Sequence, residues 1–217
     1  MTIFYLLALA GGAAAEEAMT FYLAAIGNPH KCGGACPKVI AAGGEIVDAT
    51  PDAFFDFLGG HRDDGNVHAI VFLNSPGGKV VAAMELGKIF RRAGIAAVVA
   101  RAEPHVDDGL THFTGGRCFS ACVFALMGAE KRVIPPQSKV GLHRMFAYAS
   151  GGDGAASASE RRRRYDDGRM AGVLQRYSST MGINPALVRN AEHGAPDALR
   201  ILTPTQIARW RLGSPNF

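Results

Sequence analysis

The sequence predicts an α/β fold in which helices pack on a parallel sheet. The clearest unit is an apolar strand over residues 67–74, a Ser-Pro-Gly-Gly turn over 75–78, a helix over 79–93 and a second strand over 95–101. A strand, a helix and a strand in this order connect two parallel neighbours through a crossover. Further short apolar runs and helical patterns fill the rest of the chain, and no internal repeat is visible.

Other segments extend this pattern on both sides. Apolar runs at 18–26 and 39–46 predict strands, and Thr50 followed by proline predicts a capped helix over 51–59. Downstream we expect the following elements: a helix over 120–128, short strands at 132–135 and 139–143, a long helix ending near 181, and a last helix over 206–212 behind Thr203. The Gly/Ala/Ser-rich stretch 150–159 predicts a loop.

Length and composition indicate one domain with one core. The chain has 217 residues, of which 48% are hydrophobic and 19% charged, and we place the domain at residues 16–217. The net charge of +4 comes partly from the arginines at 161–164, which have acidic residues at both ends and no aromatic ladder. This pattern favours a solvated helix face, and no nucleic-acid partner is expected.

The N-terminus predicts export. Residues 1–15 contain an apolar stretch followed by three alanines, which is typical of a signal peptide with its cleavage site, although no basic residue precedes the stretch. Glu16 and Glu17 end it well short of the roughly 20 residues that a membrane span needs, so no stable span is expected. The predicted location is periplasmic or secreted. A mis-assigned start codon or a buried first strand, in a cytoplasmic protein, is the alternative.

The cysteines form two pairs with the same spacing, Cys32 with Cys36 and Cys118 with Cys122. A zinc site is disfavoured because structural zinc sites pair their cysteines more closely. Disulfides fit an exported protein better, with local closure or cross-pairing both open. Two small buried apolar side chains are the other interpretation of the pair around Ser120.

Three segments carry residues suited to hydrolysis. The Asn-Ser-Pro-Gly-Gly turn at 74–78 brings backbone N–H groups to a strand end, and Ser120 lies at a predicted helix start that favours a developing anion. Together they could form an oxyanion hole facing a nucleophile. His143 ends a predicted strand and could act as the base. Alternatively, Ser120 is only a helix cap, His143 a core histidine and the glycine segment only a turn.

With these segments the chain resembles the ClpP-like branch of the ClpP/crotonase superfamily. The matching pieces, in the family's order, are NSPGG (74–78), the serine at 120 with its apolar run to 128, KRVIPPQSKVGLH (131–143) and LTPTQIARWRLG (202–213). The likeness spans residues 40–213. The cysteines flanking Ser120 and the apparent signal peptide resemble an exported bacterial subgroup of ClpP-like proteins.

The resemblance implies a spiral of ββα units with a parallel central sheet and packed helices. It further implies a serine peptidase-like site with Ser120 as nucleophile, His143 as general base and the N–H groups of Gly78 and Ala121 as oxyanion donors. A peptide or protein substrate follows, with no cofactor and no metal. The stretch 150–159 lies where the family carries its oligomerising segment, so a homo-oligomer is left open.

The third member of the site is open. The family places an acid after the long late helix, and in this chain the window 189–197 offers Asn190, Glu192 and Asp197. Lys79 would supply a Ser-Lys dyad instead, although it is expected to face solvent. Two other functions compete with a serine hydrolase. A crotonase-type acyl-CoA enzyme would use the oxyanion hole without Ser120, and a non-catalytic scaffold or binding protein would keep the fold without the acid.

Overall fold

The computed structural model describes residues 17–33, 35–104, 111–148, 163–165, 167–194 and 198–217. In the described residues the strands are β1 (Thr20–Ala25), β2 (Lys38–Gly43), β3 (Val67–Asn74), β4 (Ala96–Pro104), β5 (Thr111–Gly115), β6 (Arg117–Phe119), β7 (Lys131–Val133), β8 (Lys139–Leu142), β9 (Phe146–Tyr148), β10 (Arg163–Tyr165) and β11 (Arg200–Ile201). The helices are α1 (Pro29–Cys32), α2 (Thr50–Gly60), α3 (Val80–Arg92), α4 (Cys122–Gly128), α5 (Arg169–Thr180), α6 (Ala186–Glu192) and α7 (Pro204–Arg209).

The larger sheet is mostly parallel. β2, β3, β4 and β7 run parallel to their neighbours, while β1 pairs antiparallel with β2 and β5 pairs antiparallel with the second half of β4. The helix α3 connects β3 to β4, which is the crossover that the sequence predicts. The predicted α/β fold with packed helices is therefore confirmed, with two antiparallel strands added to it.

A smaller sheet holds the segments that matter for function. β8 lies between β6, to which it is parallel, and β11, to which it is antiparallel. The two sheets meet at Ser75, whose N–H donates to the carbonyl of Arg117 (2.8 Å) and whose carbonyl accepts from the N–H of Phe119 (3.1 Å). This junction brings the end of β3 against β6. A separate hairpin pairs β9 with β10.

The main core lies between the larger sheet and the helices α2 to α5. Phe54, Phe90 and Leu126 are fully buried in it. α3 and α4 touch through glycine, because a Cβ on Gly128 would overlap the backbone of Gly87. The hydroxyl of Tyr177 on α5 donates to the carbonyl of Phe124 on α4 (2.8 Å), and burial raises the pKa of this phenol.

Three local predictions are wrong. Thr50 is not a cap: it lies inside α2, and its hydroxyl accepts from the N–H of Val47 (2.9 Å). The arginine run does not form a helix face where it is described, because Arg163 and Arg164 lie in β10 and pair with β9. Ser120 precedes α4 instead of beginning it, since the helix starts at Cys122. The strands β5, β6, β9 and β11 and the helices α1 and α6 were not predicted.

Several predictions concern residues outside those that the structure describes. These are the signal peptide at 1–15, the loop at 150–159 and the acid Asp197. Within the described ranges, no helix combines the length and the apolar character required to cross a membrane.

Candidate active site

Ser120 lies in a tight turn between β6 and α4. Its backbone is left-handed (φ 52°). This conformation costs most residues that have a Cβ about 1–2 kcal/mol, whereas glycine adopts it freely. Its N–H donates to the carbonyl of Gly141 in β8 (2.8 Å), which fixes the turn to the neighbouring strand. The side chain is partly exposed, and its Oγ has no hydrogen-bond partner among the described residues. Such strain is common at functional sites.

A disulfide brackets this turn. Cys118 in β6 and Cys122 at the start of α4 are bonded, with their Cα atoms 5.2 Å apart and both side chains fully buried. The strand geometry at Cys118 is what allows a bridge over four positions here. Cys32 and Cys36 form the second disulfide. Local closure is therefore the observed connectivity, and the alternatives of a zinc site and of free buried thiols are wrong.

Gly77, which follows β3, packs directly on the serine turn. A Cβ added to Gly77 would lie 2.8 Å from the Cβ of Ser120 and 2.8 Å from the carbonyl oxygen of Phe119. Gly77 also has φ 116°, so both space and conformation require glycine. The hydroxyl of the fully buried Ser75 accepts from the N–H of Gly77 (3.1 Å) and steadies the bend.

Two backbone N–H groups in the segments that meet at the serine turn have no protein acceptor. Gly78 lies opposite Ile46 in a parallel bridge. In this bridge the N–H of Ile46 donates to the carbonyl of Gly77 and the N–H of Lys79 donates to the carbonyl of Ile46, so the N–H of Gly78 is not used. Ala121 follows Ser120 at the entrance to α4. In the described part of the chain, neither N–H donates to another protein group. Donors of this kind beside a hydroxyl are the components of an oxyanion hole.

His143 follows β8 directly. Because β6 and β8 are parallel and Phe119 pairs with Gly141, Ser120 and His143 both lie at the carboxyl ends of adjacent strands. The Nδ1 atom lies 2.7 Å from the carbonyl oxygen of Arg144, and the ring stacks on Phe146 with centroids 5.2 Å apart. Among the described residues Nε2 has no hydrogen-bond partner, and no direct bond joins the ring to Ser120.

Two of the predicted third members, Glu192 and Asn190, lie in the described part of the chain and differ in their hydrogen-bond partners. Glu192, at the end of α6, accepts through Oε1 from the N–H of Met145 (3.1 Å), two residues after His143. Asn190 lies on the same helix, but its side-chain oxygen accepts from Arg200 (2.6 Å). Lys79 is exposed at the entrance to α3. Thus Glu192 comes to the histidine segment, whereas Asn190 is engaged elsewhere.

An open cleft of about 470 Å³ is lined mainly by residues of β1 to β4, and Ser120 and His143 are not among its lining residues. Its wall includes Asn74, whose side-chain oxygen accepts from the N–H of Arg117 (3.0 Å), three residues before Ser120. Sequence reasoning missed this cleft and the contact of Gly77 with Ser120. The glycine pair was nevertheless a visible indication that two backbone segments approach each other closely there. No group of three or more potential metal ligands occurs within the described ranges.

Comparisons with known proteins identify a shared fold. No protein-family model matches the chain, and no curated protein matches it. Two matching solved structures are of the 1510-N membrane-bound stomatin-specific protease. A mutant with a serine replaced by alanine has 17% identity and a TM-score of 0.53, covering 80% of this chain and 74% of that one. A mutant with a lysine replaced by alanine, in complex with a substrate peptide, has 17% identity and a TM-score of 0.54, covering 80% and 70%. The chain therefore has the ClpP-like fold of these protease structures.

Proposed function

We propose that this chain is an exported serine hydrolase of the peptidase type. Ser120 is the nucleophile, His143 is the general base, and the N–H groups of Gly78 and Ala121 stabilise the oxyanion. The substrate is a peptide or protein segment.

One observation carries this proposal. Ser120 occupies a strained turn that a buried disulfide brackets, and Gly77 packs against it. A serine that served only as a cap would gain nothing from left-handed backbone, because a cap residue is normally extended. The combination of strain, a hydroxyl without a hydrogen-bond partner among the described residues and two N–H groups without protein acceptors supports a nucleophile facing an oxyanion hole.

The chemistry follows from these positions. Ser120 Oγ attacks the carbonyl carbon of the scissile bond while its proton passes to Nε2 of His143. The carbonyl π electrons move to the oxygen, where the two N–H groups stabilise the charge. The tetrahedral intermediate then expels the amine, which takes the proton from Nε2, and an acyl-enzyme remains. Water repeats these steps with the same base and releases the acid.

Substrate class and compartment have separate support. A solved structure of the same fold, the stomatin-specific protease, binds a substrate peptide. The two disulfides fit an oxidising environment, such as the periplasm or the exterior, better than a reducing cytosol.

A fluorophosphonate probe tests the proposal because it labels only activated serines. We expect wild type to be labelled at Ser120, and Ser120→Ala and His143→Ala to lose labelling by at least about four orders of magnitude. Ser179→Ala is the matched control: Ser179 is exposed on α5 without an activating base, so this variant should label like wild type. If folded wild type never labels, the chain is a non-catalytic scaffold instead.

A further inference from the structure

We propose that one peptide group orients His143 in place of the usual acid, and that Glu192 holds this peptide group as a positioning residue. The role of His143 as a base rests on the proposed function. The contacts that orient the ring do not depend on that function, so they can be tested separately.

The first contact fixes the tautomer of the imidazole. Nδ1 of His143 lies 2.7 Å from the carbonyl oxygen of Arg144. A carbonyl oxygen can only accept, so Nδ1 must carry the proton. In the neutral ring Nε2 then bears the lone pair, which is the form that can take a proton from a serine hydroxyl. A carboxylate normally imposes this tautomer, and here a backbone carbonyl does so.

The second contact acts on the same peptide group. The carbonyl of Arg144 and the N–H of Met145 belong to one planar amide, so their directions are opposed. The N–H donates to Oε1 of Glu192 (3.1 Å), while the carbonyl accepts from the histidine. The amide therefore lies between the carboxylate and the imidazole. A charge-assisted bond at its N–H polarises the amide and strengthens the carbonyl as an acceptor.

The surrounding fold keeps the three groups in line. Arg200 in β11 pairs with Leu142, the residue before His143, and thereby ties the chain that follows α6 to the end of β8. Arg200 also donates to the side-chain oxygen of Asn190 (2.6 Å). Asn190 lies on α6, the helix that carries Glu192. Phe146 stacks on the imidazole, with ring centroids 5.2 Å apart. Glu192 thus has an indirect role, because its carboxylate bonds to backbone and reaches the ring through that backbone.

The amide relay predicts a different mutational pattern from a direct triad. Glu192→Gln keeps an oxygen acceptor for the N–H of Met145, so the labelling rate should stay within about threefold of wild type. Glu192→Ala removes the acceptor and should lower the rate about tenfold. An acid bonded directly to His143 would make Glu192→Gln lose about four orders of magnitude, as amide replacement does in other triads. Glu130→Ala, which removes an exposed carboxylate that follows α4, is the control and should retain the wild-type rate.

Nitrogen-15 NMR of histidine-labelled protein supplies a readout that needs no activity. The His143 signals are assigned by their loss in His143→Ala, since the chain has seven histidines. We expect the Nδ1–H tautomer in wild type, Glu130→Ala and Glu192→Gln, and a mixture of tautomers in Glu192→Ala. A wild-type ring with its proton on Nε2, or an unchanged tautomer in folded Glu192→Ala, would overturn the relay. If wild type shows the expected tautomer but never labels, the relay stands and the proposed hydrolase fails.

Discussion

The two disulfides have the same spacing in sequence but lie in different surroundings. Cys118 and Cys122 are both fully buried, and the five-residue loop that they close has Ser120 at its centre. Cys32 and Cys36 close a loop after the short helix α1, and in this surface bridge Cys32 is partly exposed while Cys36 is buried. Identical spacing therefore produces a surface staple in one region and a support for the proposed nucleophile in the other.

The surroundings explain the difference. Cys118 lies in a strand between Ser75 and β8, and Cys122 begins a helix whose residues are all buried. The sulfur bridge therefore links three elements around one strained residue. In contrast, Cys32 ends a single-turn helix, and beyond it Gly33 has open space around its Cα. The packing around each bridge, and not its loop length, should decide what its loss costs.

Removal of each bridge by paired alanine substitutions should give the largest difference. The entropy of closing the loop is the same for both, about 2 kcal/mol for so short a separation. Cys118→Ala with Cys122→Ala also leaves space where two buried sulfurs were, so its free energy of unfolding should fall by about 4 kcal/mol in total. Cys32→Ala with Cys36→Ala should cost about 2 kcal/mol. Urea denaturation measures both values.

Probe labelling separates support of the site from general stability. The variant that lacks the surface bridge should label like wild type. The variant that lacks the buried bridge should label at least about tenfold more slowly even where it is folded, because the turn no longer holds Ser120 in place. Equal costs and equal labelling in the two variants would show that the bridges have equivalent roles.

Two glycines sharpen the same comparison: Gly77 packs against Ser120, which lies inside the loop of the buried bridge, and Gly33 lies inside the loop of the surface bridge. Gly77→Ala places a Cβ against the Cβ of Ser120 in a backbone conformation that alanine avoids, so about 3 kcal/mol of stability and most labelling should be lost. Gly33→Ala also has positive φ (57°) but meets no atom within 4 Å, so it should cost about 1 kcal/mol and leave labelling unchanged. Thermal unfolding and probe labelling of the two variants provide the check. Comparable losses would indicate that backbone strain alone governs both positions.

The sequence predicted the elements whose information is local. The strand, turn and helix over 67–93 were readable because an apolar run, a Pro-Gly turn and a helical spacing follow one another. The strands β5 and β6 were missed because β5 is mostly polar and exposed and holds its place by backbone pairing with β4. The arginine run has no period of its own, and only its pairing with β9 makes it a strand.

For the candidate site, residue types were predictable and their geometry was not. The motif order predicted Ser120 and His143 as site residues, which stays a prediction, but serine has no preference that would reveal a left-handed backbone. Glu192 was one of three options, and the contact that distinguishes it joins residues 47 positions apart. The carbonyl of Arg144 could not be foreseen at all, because a backbone acceptor is present at every residue and leaves no trace in the sequence.

The smallest expected effect concerns the strain stored at Ser120 itself. Ser120→Gly and Ser120→Ala both lack the hydroxyl, so both should be unlabelled, and any difference in their stability reports the backbone. Alanine pays the left-handed penalty of about 1–2 kcal/mol, whereas glycine avoids it and loses up to about 1 kcal/mol through its more flexible unfolded chain. The glycine variant should therefore be more stable by about 0.5 kcal/mol. At Ser179, which lies within α5, the order should be reversed, because glycine is the poorer helix former. Urea denaturation of these four variants measures the two signs, and a more stable Ser120→Ala would mean that the turn at the buried disulfide carries no more strain than the rest of the molecule.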